Sequence, residues 1–137
     1  MQWLAYSIIA MILWGFWGLA LKLAVRGSDH TTAYFLTSLA SFSLALLIYL
    51  TSNPSRNSDP SPTGILFAIL AGLTTSLGSL LVYKALEKGP TQLVIVISGL
   101  YPLITVLLST LVLGEQLTPH RIAGIVMAVI AIIILSV

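Results

Sequence analysis

The side chains able to do chemistry are few. The 137-residue chain has two histidines, four carboxylates, six lysines and arginines, and no cysteine. Without cysteine there is no disulfide framework, thiolate metal site or thiol nucleophile. His30 and His120 stand in separate short polar stretches between apolar runs. The carboxylates Asp29, Asp59, Glu87 and Glu115 fall in the same kinds of stretch or at the ends of the runs. Serines are plentiful inside the runs, but no base accompanies any of them there, so an activated-serine nucleophile is not supported. No enzyme, metal or cofactor is expected. Two lysines remain, Lys22 and Lys84, each roughly a turn inside the end of an apolar run. One use of such a lysine is to snorkel, its ammonium reaching the interface. The other is to form a cationic rim that attracts anionic or carboxylate-bearing solutes. Lys84 suits snorkelling better; Lys22 shares a helix face with Gly15 and Gly18 and stands nearer the second use.

These residues are carried by five apolar runs, about 3–25, 31–51, 64–86, 91–113 and 119–137. A bilayer core takes roughly 20 helical residues to cross, so the expected fold is an all-α membrane protein of five transmembrane helices, a single domain over 1–137. Composition agrees: 58% of residues are hydrophobic, 7% are charged and mean hydropathy is +1.05. Soluble domains carry about 25% charged residues. The net charge of +2 is too small to suggest nucleic acid, and basic residues beside spans set orientation instead. The first run has no positive leader and exceeds a signal-peptide core, so it reads as a retained helix. Ser52–Thr63 is the longest polar segment and reads as a water-exposed loop. The spans put His30 and His120 in loops on opposite sides of the membrane, where they cannot share a metal or a relay.

Helical spacing assigns faces. In the first span Met11, Gly15, Gly18 and Lys22 share a face, edged by Trp14, while Trp17 points away, to lipid or a neighbouring helix. The second span is rich in small hydroxyls, Thr37, Ser38, Ser41 and Ser43, which let membrane helices approach and bond across. In the third, Ala68, Gly72, Ser76, Ser79 and Tyr83 form a ridge of small and polar residues, with Thr75 beside it. The fourth has a line of Thr91, Ser98, Thr105 and Ser109, with Tyr101 and Pro102 close by. Pro102 cannot donate to the Ser98 carbonyl, so a kink is expected there, with Gly99 adjoining as a hinge. The fifth presents Gly124, Ala128 and Ala131 along a seam suited to close helix contact. Gly114 suits a C-cap, and Thr118–Pro119 an N-cap and first helical position. Glu115, in this capped hinge, reads as structural or orienting. Uncompensated polar groups are costly in hydrocarbon, so the polar faces should turn toward the bundle interior. Trp14, Gly15, Gly18, Lys22, Ser76, Ser79, Tyr83, Ser98, Tyr101 and Thr105 are the candidate solute-lining residues. Ordinary helix packing is the competing use of the same serines, threonines and glycines, and of Trp14, Tyr83 and Tyr101. Tyr34 and Tyr49 read as interfacial anchors.

An ordered set of residues carries a resemblance. Ala85–Leu86, then Gly89–Pro90, Pro102 inside a helix, Leu113–Gly114–Glu115 and Gly124, with Trp14–Gly15 and Lys22 near the start, resembles an EamA-type domain of the drug/metabolite transporter superfamily. The resemblance implies a small-solute carrier, for metabolites or amino-acid-like compounds, working by alternating access in the cell membrane. Such carriers usually join two inverted halves into ten helices. This sequence supplies one half, so the implied partner is an identical chain inserted antiparallel or a second half-transporter. The related small multidrug-resistance proteins use a glutamate within their first helix to exchange protons for cationic drugs, and the first span here has no acid. The alternative is an accessory subunit, or part of a lipid-linked-sugar flippase, working only with a partner membrane protein.

Basic residues set the expected orientation. Arg56 and Arg121 lie on the N-terminal side; Lys22, Arg26, Lys84 and Lys88 lie opposite. The bias favours an N-out, C-in chain, and its small size permits dual insertion.

Overall fold

In a computed structural model, residues 2–52, 60–114 and 116–136 are described; the expectations for Arg56, Asp59 and Glu115, and that for the Arg121 side chain, lie outside this account. The described residues form six helices: α1 (Gln2–Gly27), α2 (His30–Thr51), α3 (Pro62–Lys88), α4 (Thr91–Ser98), α5 (Tyr101–Leu113) and α6 (Pro119–Ser136). Four candidate membrane spans result, Gln2–Gly27, His30–Thr51, Pro62–Lys88 and Thr91–Leu113, with the shorter apolar helix Ile122–Ile134 within α6. The protein is an all-helical, multi-pass membrane protein.

The boundaries follow local chemistry. Asp29 is extended and caps α2, its Oδ1 accepting from the N–H groups of Thr31 at 2.9 Å and Thr32 at 3.0 Å. His30 is therefore the first residue of α2, not a loop residue. Pro62 opens α3, where a missing N–H costs nothing, and Ser61 Oγ accepts from Gly64 N–H at 3.1 Å. Gly114 closes α5 at φ +67°, a conformation that favours glycine. Pro119 opens α6.

The fourth span is two helices rather than one. Gly99 N–H bonds to the Ile95 carbonyl at 2.8 Å, but Leu100 N–H tightens to Ile97 at 3.1 Å. Pro102 then has no N–H to offer Ser98. The chain restarts with Leu103 N–H on Leu100 at 3.0 Å. A Cβ on Gly99 would stand 3.0 Å from the Ile95 carbonyl oxygen and 3.3 Å from that of Val96, so the close turn uses the missing side chain.

Two compact units result, Met1–Lys88 and Gly89–Val137. In the first, α1, α2 and α3 pack against one another. The buried residues are Leu21, Ala33, Tyr83 and Leu86, with Gly18. They come from the end of α1, the start of α2 and the end of α3, so the core sits at one end of this three-helix unit. Toward the other end Met11, Phe42, Leu70 and Leu73 are exposed. In the second unit α4 contacts α6, and α5 and α6 border a groove of about 490 Å³.

Candidate functional site

The first unit gathers polar groups at its packed end. Tyr83 is buried, and its hydroxyl donates to Thr37 Oγ1 at 2.5 Å. The Tyr34 ring meets it edge-on, centroids 6.0 Å apart at 74°. One turn nearer the α1–α2 junction, His30 Nδ1 stands 2.8 Å from Glu87 Oε2. Lys22 Nζ donates to the Leu86 carbonyl at 2.6 Å, satisfying a backbone acceptor in the last turn of α3, where a cation is also favoured. Asp29 completes the end. Its carboxyl is held below the usual aspartate range, first by the Thr32 hydroxyl and the Thr32 and Thr31 N–H groups, and in smaller part by His30.

The solute-lining candidates divide. Gly18 and Tyr83 are buried in helix packing, with Lys22 partly buried beside them. Gly15 and Ser76 are exposed, and a Cβ on Gly15 would meet nothing within 4 Å. Ser79 is intermediate. Trp14 is 62% exposed and Trp17 39%, so Trp17, expected to face lipid or a neighbouring helix, is the less exposed of the two. Position along the helix explains it, because packing is confined to the end of α1 where Gly18 and Leu21 are buried, and Trp17 stands almost one turn nearer that end than Trp14.

In the second unit many hydroxyls turn onto their own helix. Ser98 Oγ donates to the Val94 carbonyl, Thr105 Oγ1 to Tyr101 at 3.2 Å and Ser109 Oγ to Val106 at 3.0 Å. A hydroxyl bonded this way leaves no uncompensated donor, so its presence alone does not force a face inward. The groove is lined by Pro102, Leu103, Val106 and Ser109 of α5, Gln116 and Leu117, and Gly124, Ile125 and Ala128 of α6. It contains two of the three seam residues. Among the described residues, no group of three or more histidines or carboxylates stands close enough to hold a metal ion.

Sequence reasoning missed the roles of Thr37, Tyr34 and the His30–Glu87 pair. A signal was present: His30 and Tyr34 are four residues apart, as are Tyr83 and Glu87, so each pair shares a helix face.

Long apolar helices, a core confined to one end of the first unit and a broken fourth span describe a multi-pass helical membrane protein. The profile of the EamA-like transporter family matches residues 1–137, and the chain belongs to that family. It is 28% identical to an uncharacterized transporter of Archaeoglobus fulgidus over 129 residues, 94% of this chain and 46% of that protein. It is 45% identical to an uncharacterized protein of Methanocaldococcus jannaschii over 71 residues, 52% of each chain. The chain thus spans about half the length of the curated relatives it matches. No solved structure matches it.

Proposed function

We propose that the chain forms one half of a small-solute transporter of the cell membrane, working by alternating access with a second half. The observation that carries this reading is the one-ended packing of the first unit: Leu21, Ala33, Tyr83 and Leu86 are buried at one end, while the opposite stretches of the same helices are exposed. A carrier needs such a contrast, one end sealed while the other admits solute. The Archaeoglobus transporter supports the half-transporter reading, because nearly all of this chain matches under half of that protein.

The candidate solute-binding residues are Trp14, Gly15, Gly18, Lys22, Ser76, Ser79 and Tyr83 in the first unit and, in the second, Ser98, Tyr101 and Thr105. Aromatic rings and neutral hydroxyls suit a small zwitterionic or mildly amphipathic solute, such as an amino acid or related metabolite. Gly99 and Pro102 form the hinge. Gly124, Ala128 and Ala131 face the second half, an antiparallel copy of this chain or a different half-transporter. With single insertion most copies are N-out, C-in, whereas an antiparallel pair of copies needs both orientations; cysteines engineered at Ser28 and Ser55 report the two loops separately.

The test is reconstitution of the purified chain in liposomes, followed by counterflow of radiolabelled amino acids and polar metabolites. Uptake above empty liposomes, with a cross-linked dimer, supports the reading. Uptake only with a second half-transporter of the same family makes that protein the second half, whereas uptake only with an unrelated membrane protein assigns the chain an accessory role instead.

A further inference from the structure

We propose that His30 and Glu87 form a proton-binding site that fastens α2 to α3 when the imidazole is charged. Nδ1 of His30 lies 2.8 Å from Glu87 Oε2. That nitrogen is itself buried, and no hydrogen-bond acceptor lines up with it. The contact is thus not an aligned hydrogen bond, and it is an ion pair only when the imidazole is protonated. A neutral imidazole gains little from this geometry: an unprotonated Nδ1 sets its lone pair against the carboxylate, and an Nδ1–H points off the line to it. Only the imidazolium makes the short approach favourable.

The position gives the proton leverage. His30 shares a face of α2 with Tyr34, and Glu87 shares a face of α3 with Tyr83. The two faces meet again where the tyrosine rings touch and where Tyr83 donates to Thr37. The pair therefore lies one turn from the buried core, on the same two helices. Water supplies the proton, since the side chains remain 29% and 36% exposed.

The other charged or titratable groups at this end are Lys22 and Arg26 of α1, Asp29 and Tyr34 flanking His30, and Tyr83, Lys84 and Lys88 of α3. Lys22 donates to the Leu86 carbonyl, Tyr83 to Thr37, and Asp29 accepts from Thr31 and Thr32. Asp29 adds a second carboxylate whose charge interacts with His30. Lysine, arginine and tyrosine side chains do not ordinarily change charge between about pH 5 and 8, whereas histidine does. Acid then tightens this end and alkali loosens it. If the transport reading holds, a proton biases this end toward its sealed state.

The test needs no transported solute, so its failure leaves the transport reading standing. The cysteine-free chain receives one reporter, Ala33→Cys in the buried end, and is labelled with a maleimide in liposomes at pH 5.5 and 8.0. Dividing each rate by that of the same reporter in a His30→Gln chain cancels the thiol's own ionisation. The expected ratio is about one-third at pH 5.5, the size an ion pair of this exposure gives, and near one at pH 8.0. Glu87→Gln should abolish the pH dependence, and His30→Arg, with a fixed charge, should label slowly at both values. Should Ala33→Cys not fold, Leu21→Cys on α1 reports the same end. A ratio equal at the two pH values, or one that keeps its pH dependence in Glu87→Gln, overturns the proposal.

Discussion

The Tyr83 hydroxyl donates to Thr37 Oγ1 at 2.5 Å, joining the last turns of α3 to the second turn of α2 within the buried end of the first unit. The same ring packs edge-on against Tyr34. Tyrosine here fills core volume and satisfies its polar tip at once.

Removing the hydroxyl alone isolates the bond. Tyr83→Phe keeps the ring contact and removes only the donor to Thr37 Oγ1. The expected cost is about 0.5–1.5 kcal/mol, read as a lowered thermal midpoint in detergent. Tyr83→Ala should cost about 3–5 kcal/mol by leaving a cavity. Equal losses for Tyr83→Phe in wild-type and Thr37→Val backgrounds would mean that the two residues are not coupled.

Asp29 should show its cap in the pH dependence of stability. Its folded carboxyl lies below the ordinary value of 3.8, so the stabilisation is fully present above that value and lost as pH falls through the folded one. In a His30→Gln background, which removes the histidine whose charge interacts with Asp29, the difference in thermal midpoint made by Asp29→Asn should therefore be constant from neutrality to about pH 5, and should change only as pH falls toward and below 3.8. A difference changing between pH 6 and 8 would assign the effect to another group.

How much of this was legible in the sequence depended on the kind of signal. Apolar run length showed the spans, because crossing hydrocarbon demands length. Pro102 and Gly99 marked the interruption of the fourth span, because a missing N–H and a missing Cβ are local facts. Gly114 marked its left-handed cap for the same reason. Burial was harder to read. Each helix is apolar nearly all round, so periodicity hardly distinguishes the protein-facing side from the lipid-facing one. That is why Tyr34 read as an anchor when it packs on Tyr83. Ser98, Thr105 and Ser109 bond to their own helices, so polarity is a weaker guide to a lining than it looks in sequence. Lys22 was read as snorkelling or solute-binding, but its ammonium reaches the Leu86 carbonyl on another helix.

Trp14 and Trp17 should separate transport from stability. Trp17 is the more buried, so Trp17→Ala should lower the thermal midpoint more than Trp14→Ala. Trp14→Ala should reduce transport more than it reduces expression, if Trp14 edges the solute path. Loss of transport from Trp17→Ala at unchanged stability would move the path to the other side of α1.

The interruption between α4 and α5 should respond to two different substitutions. Pro102→Ala returns an N–H that can reach the Ser98 carbonyl, favouring a continuous helix. The protein should still insert and assemble, and transport should fall. Gly99→Ala adds a Cβ 3.0 Å from the Ile95 carbonyl oxygen, which the backbone must shift to admit. It should lower the thermal midpoint as well as transport. Unchanged counterflow in a well-expressed Pro102→Ala protein would reduce the proline to a packing role.

Gly124 distinguishes a surface used for assembly from one used only for folding. It is exposed on α6, and a Cβ there would meet nothing within 4 Å. It lines the groove bordered by α5 and α6, together with Ala128. A larger side chain at Gly124 therefore has room within the isolated chain, and Gly124→Leu should leave insertion and helicity unchanged. A second half packed against the α6 seam would instead meet the new side chain where small residues allow close approach. Gly124→Leu should thus lower the cross-linked dimer fraction by about tenfold, the effect of roughly 1.4 kcal/mol, and abolish counterflow. Gly124→Ala, one methyl larger than glycine, should give an intermediate loss. Ala131→Leu, farther along the seam, should repeat the dimer defect. A Gly124→Leu chain that dimerises normally would place the contact between halves on another face.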